Sequence, residues 1–245
     1  MAKNQFIDKN ILIISEDEKS FIFYIEFFLN GLKFQNNNPD LKKYFSKSKK
    51  QKYFIKIENS KQTKIALICP KSQSPQDIID LAKKLKAEEK NNKIPKFNKI
   101  FCVFDAISPQ ENRGNNEIYK TIIASGNLKD LNEKYQNEIE IIDSNPSYEI
   151  WLLNHFQKFS TRHFNDTKEV IREIEKNLQA KNKNFIYEKN NEDWFEFFIK
   201  EEKILKAIKN CEDLEKHHLE YQTKNPNPSS KIYKIINFIN KINEI

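Results

Sequence analysis

Arginine is almost missing from this chain: Arg113, Arg162 and Arg172 are the only three among 245 residues. Bidentate reading of base edges, the strength of the guanidinium fork, is therefore a poor basis for any sequence-specific DNA binding here. Contact with nucleic acid would run instead from Lys to phosphate, which positions a backbone and carries no sequence information. Cysteine is equally sparse. Cys69, Cys102 and Cys211 are odd in number and far apart, which excludes a disulfide framework and a zinc site. Cys69 and Cys102 fall in apolar, strand-like runs and read as small buried hydrophobes. No apolar run approaches the roughly 20 residues that cross a bilayer. The opening Met-Ala-Lys-Asn-Gln lacks the layout of a secretory signal, because Ile11–Ile14 is too short for its apolar segment. A cytoplasmic protein without a membrane partner is expected. Glycine, at 3 residues, is scarce beside abundant Lys, Asn and Ile, a bias that AT-rich coding explains as readily as selection for charge.

What is present suffices for a sizeable core. The chain is 38% hydrophobic and holds 19 Phe, enough for one large core or a core with a helical extension. The formal charge of +7, with a pI near 9.0, permits nucleic-acid binding by counterion release. The densest basic run, Lys42 to Tyr53, interleaves Lys with aromatics. It reads either as a grip on a single strand or as a solvated loop before the next strand.

Hydrophobic spacing predicts a first strand at Ile11–Ile14 and a helix over Lys19–Leu32. Tyr53–Glu58 and Lys64–Cys69 are strand-like and spaced for a hairpin or two consecutive edge strands. A helix over Gln76–Lys90, starting at Ser74 or Pro75, leads to a strand at Lys99–Phe104 apolar enough to be central in a parallel sheet. A short helix at Glu117–Ala124 and a strand at Glu138–Ile142 follow. Beyond Asn145-Pro146 the pattern turns helical: Ser147–Phe156, apolar on most sides, then Thr167–Gln179, Glu192–Cys211 and Ser230–Ile245. The expected architecture is an α/β domain over 1–145 with a mostly parallel sheet flanked by helices, and a helical extension over 146–245 packed on it.

Two carboxylates fall just past strand ends: Glu16, after Ile11-Leu-Ile-Ile-Ser, and Asp105, after Ile100-Phe-Cys-Val-Phe. A third, Glu149, lies in Ser144-Asn-Pro-Ser-Tyr-Glu149-Ile-Trp-Leu-Leu153. Parallel sheets bind ligands beyond the carboxyl ends of their strands. Acids converging there repel and need a cation between them, and oxygen-only ligation suits Mg²⁺ or Mn²⁺.

A Glu after the first strand followed by an Asp after a later one resembles the Toprim fold. More specifically, Ile14-Ser-Glu16-Asp-Glu-Lys19-Ser20, Val103-Phe-Asp105 and Ser144-Asn-Pro-Ser-Tyr-Glu149-Ile-Trp-Leu-Leu-Asn-His155-Phe156 are similar to the RloB family, as is Asn227-Pro-Ser229 before the last helix. The likeness spans most of the chain in the right order, and the Asn-Pro to Trp-Leu-Leu block is its most specific piece. It implies a Toprim-like Mg²⁺-dependent nuclease acting with an ATPase partner in antiphage or restriction-associated loci. Glu16, Asp105 and Glu149 would be its metal ligands. Glu16, Asp105 and Lys19 would be its catalytic groups, with Lys19 steadying the phosphate charge. Two positions depart from the family pattern: Asp17 stands where Gly is usual, and Ile107 stands where a second acid completes Asp-x-Asp. Ile cannot bind a cation, so one Mg²⁺ with waters fits better than two; Glu111 is the nearest further acid.

Each residue has a plainer alternative. Glu16 could favour the positive end of the following helix, and Lys19 could pair with Glu16 or Glu18. Glu149, in an apolar helix, is a ligand or an internal ion-pair acid. His155 reads as a satisfied buried histidine, His217-His218 as surface, and Trp151 and Trp194 as core. DNA, RNA and tRNA all remain open as substrates, as does a homo-oligomer. The competing function is a catalytically weakened sensor or adaptor that binds nucleic acid or nucleotide and regulates the ATPase, which Ile107 favours.

Overall fold

Ile11 and Ile13 join one apolar layer while Leu12 and Ile14 join another, and all four are fully buried. This is the signature of a strand covered on both faces. The computed structural model of the chain describes residues 10–17, 20–32, 51–58, 63–70, 74–91, 94, 96–106, 135, 138–156, 161–180, 183–189, 195–223 and 226–244, with the backbone alone for 51–58, 196 and 244. Glu18, Lys19, Ile107, Glu111, Trp194, the helix expected over 117–124 and the side chains of the basic run lie outside the described residues.

The order of elements is β1 (Asn10–Ser15), α1 (Ser20–Gly31), β2 (Gln51–Glu58), β3 (Lys64–Pro70), α2 (Pro75–Lys90), β4 (Lys99–Asp105), β5 (Ile139–Asn145), α3 (Glu149–Leu153), α4 (Thr167–Gln179), α5 (Phe195–Phe198), α6 (Glu201–Glu220), β6 (Ser229–Ser230) and α7 (Ile232–Glu244). The strands form one sheet in the order β2-β3-β1-β4-β5-β6. β3, β1, β4 and β5 run parallel, while β2 and β6 pair antiparallel at the two edges. The fold is α/β, with β4 inside the sheet as its apolar run demands.

Alternation along the strands sorts the core into two layers. Leu12, Ile14, Ala66, Ile68, Ile100, Cys102 and Phe104 pack against Ile78, Ile79, Ala82 and Leu85 of α2. Ile11, Ile13, Ile65, Leu67, Phe101 and Val103 meet α1, α3, α4, α6 and α7 on the opposite face. That second layer mixes residues from both sides of position 145, so the C-terminal helices complete the sheet's own core.

Local chemistry sets the helix ends. Ser74 Oγ caps α2 by accepting from the Asp77 N–H at 3.2 Å, with Pro75 in the first turn. Asp166 caps α4, accepting from Glu169 N–H at 2.9 Å, and the Glu169 carboxylate reaches back to the Asn165 N–H at 3.0 Å. Three expectations need correction. The helix expected over Ser147–Phe156 is only Glu149–Leu153, followed by turns. The helix expected over Glu192–Cys211 is two, α5 and α6, parted where Lys200 takes an extended backbone (ψ 132°). α6 then runs on to Glu220 and buries His218, whose Nε2 lies 2.9 Å from the Pro228 carbonyl, so that residue is not on the surface.

Candidate functional site

β1 and β4 are parallel neighbours, with Ser15 opposite Val103, so Glu16 and Asp105 leave the sheet at the same end. β3 lies on the other side of β1. The order of strands therefore reverses between β1 and β4, the switch point beyond which open α/β sheets bind ligands.

Hydrogen bonds tie the acids together. The Glu16 N–H donates to the Val103 carbonyl at 3.1 Å, and Glu16 Oε1 accepts from the Asp105 N–H. Asp105 Oδ1 in turn accepts from the Tyr148 N–H at 2.7 Å. Each carboxylate is thus held by the backbone of the next element, from β1 to β4 to the turn before α3. Glu149 follows at once and is 0% exposed. Its Oε1 accepts from the Tyr187 hydroxyl at 3.3 Å and faces Lys189 Nζ at 3.1 Å. Glu149 Oε2, the Ser147 hydroxyl and the Tyr148 hydroxyl are buried and find no hydrogen-bond partner among the described residues. Lys189 Nζ also lies 3.6 Å from Asp17 Oδ2, which accepts from Ser20 Oγ at 3.2 Å. The structure therefore brings Glu16, Asp17, Asp105 and Glu149 together with one ammonium.

Charge crowding leaves its mark on the titration of these groups. Burial pushes the Glu16 carboxyl up to about 8, and Asp17 adds to the rise, while the Asp105 N–H and Lys189 oppose it. Asp105 is held well above the ordinary carboxylate range by burial and then by Glu16 and Glu149. Burial alone would lower the Lys189 ammonium, but Glu149, Asp17 and Asp105 outweigh it and hold the group charged. Burial keeps the Tyr148 and Tyr187 phenols neutral, so both are hydroxyl donors. Without further positive charge, an acid pair of this kind retains a proton near neutrality.

The RloB-like protein family matches residues 41–239, about four-fifths of the chain. The chain belongs to the RloB-like protein family. The match takes in Asp105, Glu149 and Lys189 and starts after Glu16. A crystal structure of a protein of unknown function from Thermoplasma acidophilum aligns with this RloB-like chain at 11% identity and a TM-score of 0.30, covering 90% of this chain and 93% of that one. No curated protein matches it.

Among the described residues of this RloB-like chain, no three His, Cys, Asp or Glu side chains are arranged to hold a metal ion on their own. Mg²⁺ asks for less, being bound in phosphoryl-transfer sites through one or two carboxylates with water and substrate oxygens. The hard-oxygen pair of Glu16 and Asp105 fits that demand, and the buried Glu149 Oε2 is an acceptor without a donor among the described residues. Glu149 Oε1 is engaged by Lys189. Lys19, the cation expected beside Glu16, lies outside the described residues.

Lys189 and Tyr187 are absent from the sequence reading. They sit in Phe185-Ile-Tyr-Glu-Lys189, a stretch with neither helical nor strand spacing. Nothing in its pattern points at Glu149, some 40 residues earlier. The one available signal was Glu149 itself: a carboxylate in an apolar helix requires a cation somewhere.

His155 is a satisfied core histidine. Its Nδ1–H donates to the Trp151 carbonyl at 2.9 Å, and its Nε2 accepts from the Tyr24 hydroxyl at 3.3 Å. Trp151 is fully buried against it. Cys69, Cys102 and Cys211 are all buried and form no disulfide. No helix among the described residues is long and apolar enough to cross a membrane.

Proposed function

We propose that this RloB-like chain is a Toprim-like, Mg²⁺- or Mn²⁺-dependent nuclease of a prokaryotic antiphage defence system, acting with an ATPase partner on DNA or RNA, tRNA included. One observation carries the chemistry: Glu16 and Asp105 meet at the switch point of the sheet, the Glu16 carboxylate resting on the Asp105 amide. Family membership supports the defence setting. A bound divalent ion would polarise the scissile phosphate and supply hydroxide from a coordinated water. Glu16 and Asp105 would hold it, oriented by the Asp105 and Tyr148 amides. Glu149, its Oε1 engaged by Lys189, would be the third acid of the site, with Oε2 as its remaining ligand atom. The net charge of +7 favours a polyanionic substrate.

A second reading, a sensor or adaptor subunit that regulates the ATPase, is favoured by the acid cluster's internal cation and by Ile107 in place of an acid.

The test is cleavage of plasmid, single-stranded DNA and total tRNA by the purified chain with Mg²⁺ or Mn²⁺, alongside Glu16→Ala and Asp105→Ala. Cutting lost in both variants is the expected result; cutting that persists in both would overturn the assigned site. A native chain that gives no heat with either ion in calorimetry, and no cutting, yet binds its ATPase, would replace the nuclease with the adaptor.

A further inference from the structure

The acid cluster already contains a positive charge. Lys189 Nζ lies 3.1 Å from Glu149 Oε1 and 3.6 Å from Asp17 Oδ2, and its field reaches Asp105 and Glu16. In two-metal sites the second ion sits about 3.5–4 Å from the first and is held by further carboxylates of the same cluster. Here those further carboxylates, Glu149 and Asp17, are the ones the ammonium engages. Position 107, where a second acid would complete the pair with Asp105, is Ile.

Resting on the nuclease reading above, we propose that Lys189 occupies the second cation position of the site, so that the chain takes one divalent ion instead of two, and that its ammonium binds a phosphate of the nucleic-acid substrate. Three further observations support the assignment. Glu149 is completely buried, its Oε2 has no partner among the described residues, and its Oε1 meets the ammonium at 3.1 Å; a carboxylate so placed is costly unless a charge partner offsets its desolvation. Tyr187, two residues before Lys189, donates to the same Glu149 oxygen, so one segment delivers both the hydroxyl and the ammonium. The Lys189 side chain is 42% exposed. An ammonium has three N–H donors; with two carboxylates engaged and solvent in reach, one remains for an incoming anion. A lysine in this position acts as a compact point charge on phosphate.

The first experiment titrates Mn²⁺ alone into the native chain, Lys189→Met and Lys189→Arg by calorimetry. One ion in the native chain and in Lys189→Arg, with two in Lys189→Met, is the expected pattern. The three native cysteines are buried, so a Lys189→Cys chain can be aminoethylated selectively, and restoring the ammonium returns the count from two to one. One ion throughout overturns this inference and leaves the nuclease reading standing, as do two ions in the native chain. No ion in any chain overturns the metal reading itself.

Should Lys189→Met fail to fold, the pair Lys189→Met/Glu149→Gln removes the stranded carboxylate and keeps the native net charge. Binding of a short single-stranded oligonucleotide in EDTA is then followed against salt. Loss of one phosphate contact on a single strand lowers the slope of log K against log[salt] by about 0.7, whereas an unchanged slope means that Lys189 is only an internal ion-pair partner.

Discussion

Acidification should remove the stabilising contribution of one identifiable group, His155. His155 is buried with both ring nitrogens committed, Nδ1–H to Trp151 and Nε2 to Tyr24. Burial, with a smaller push from Lys203, holds it neutral down to about 3, against 6.5 for a solvated imidazole. The unfolded chain therefore takes up a proton below pH 6.5 that the folded chain refuses. The His155 contribution falls as pH drops, by about 1.4 kcal/mol per unit in that range. Between pH 6.5 and 4.5 the loss is on the order of 3 kcal/mol, a large share of the ~5–15 kcal/mol typical of a folded domain. Glu16, raised to about 8 from 4.5, has the opposite sign: the folded state binds its proton more tightly, so its contribution favours the fold as pH drops through that window. A comparison of variants separates the two. His155→Asn keeps a donor for the Trp151 carbonyl, as Asn154 Nδ2 does for Ile150 at 2.8 Å, and removes the titration. Urea unfolding of both chains at a series of pH values, in EDTA, should give curves of ΔG against pH that diverge by one proton below 6.5. Parallel curves would refute the account of His155 as a neutral core group.

Three further outcomes follow from the packing and the site. Lys86, 2% exposed, meets Glu89 at 2.8 Å, Glu138 at 3.1 Å and the Phe97 carbonyl; Lys86→Met should cost about 3–5 kcal/mol in urea unfolding by stranding Glu89, and adding Glu89→Gln should recover most of it. Trp151→Ala should cost about 3–5 kcal/mol, read from the same transitions, because the indole is fully enclosed between Tyr24 and His155. Mg²⁺ should raise the melting temperature more at pH 9 than at pH 6, where Glu16 keeps its proton, by the equivalent of about 2.7 kcal/mol at a hundred times the dissociation constant. Glu16→Gln should remove that gain, and a native melting point indifferent to both Mg²⁺ and Mn²⁺ would contradict the site.

Regular elements with one buried face were legible from their residues. Val170, Ile174 and Leu178 repeat at helical spacing behind Asp166, and the helix they announce runs over Thr167–Gln179 as read. β4 could be placed inside the sheet because its apolar run has no polar face to give to water. The acids at the ends of β1 and β4 were legible as strand-tip residues, whereas their adjacency depends on strand order, which no local pattern encodes. The break between α5 and α6 has no Gly or Pro to mark it; Phe195, Phe198, Ile204 and Ala207 are buried on both sides of it. β6 is two serines long, too short for any period to show. Lys189 was out of reach for the same reason: its role comes from a tertiary approach to Glu149, not from its neighbours in sequence.

The bond from the Glu16 carboxylate to the Asp105 amide makes the two positions unequal. Any replacement of Asp105 other than proline preserves that amide, so Glu16 keeps its tether. Replacing Glu16 strands the amide, while the Asp105 carboxylate keeps its own tether at the Tyr148 N–H. Substitutions at position 16 will therefore look the more damaging of the two, whatever the chemical division of labour. Effects measured at both together will fall short of their sum.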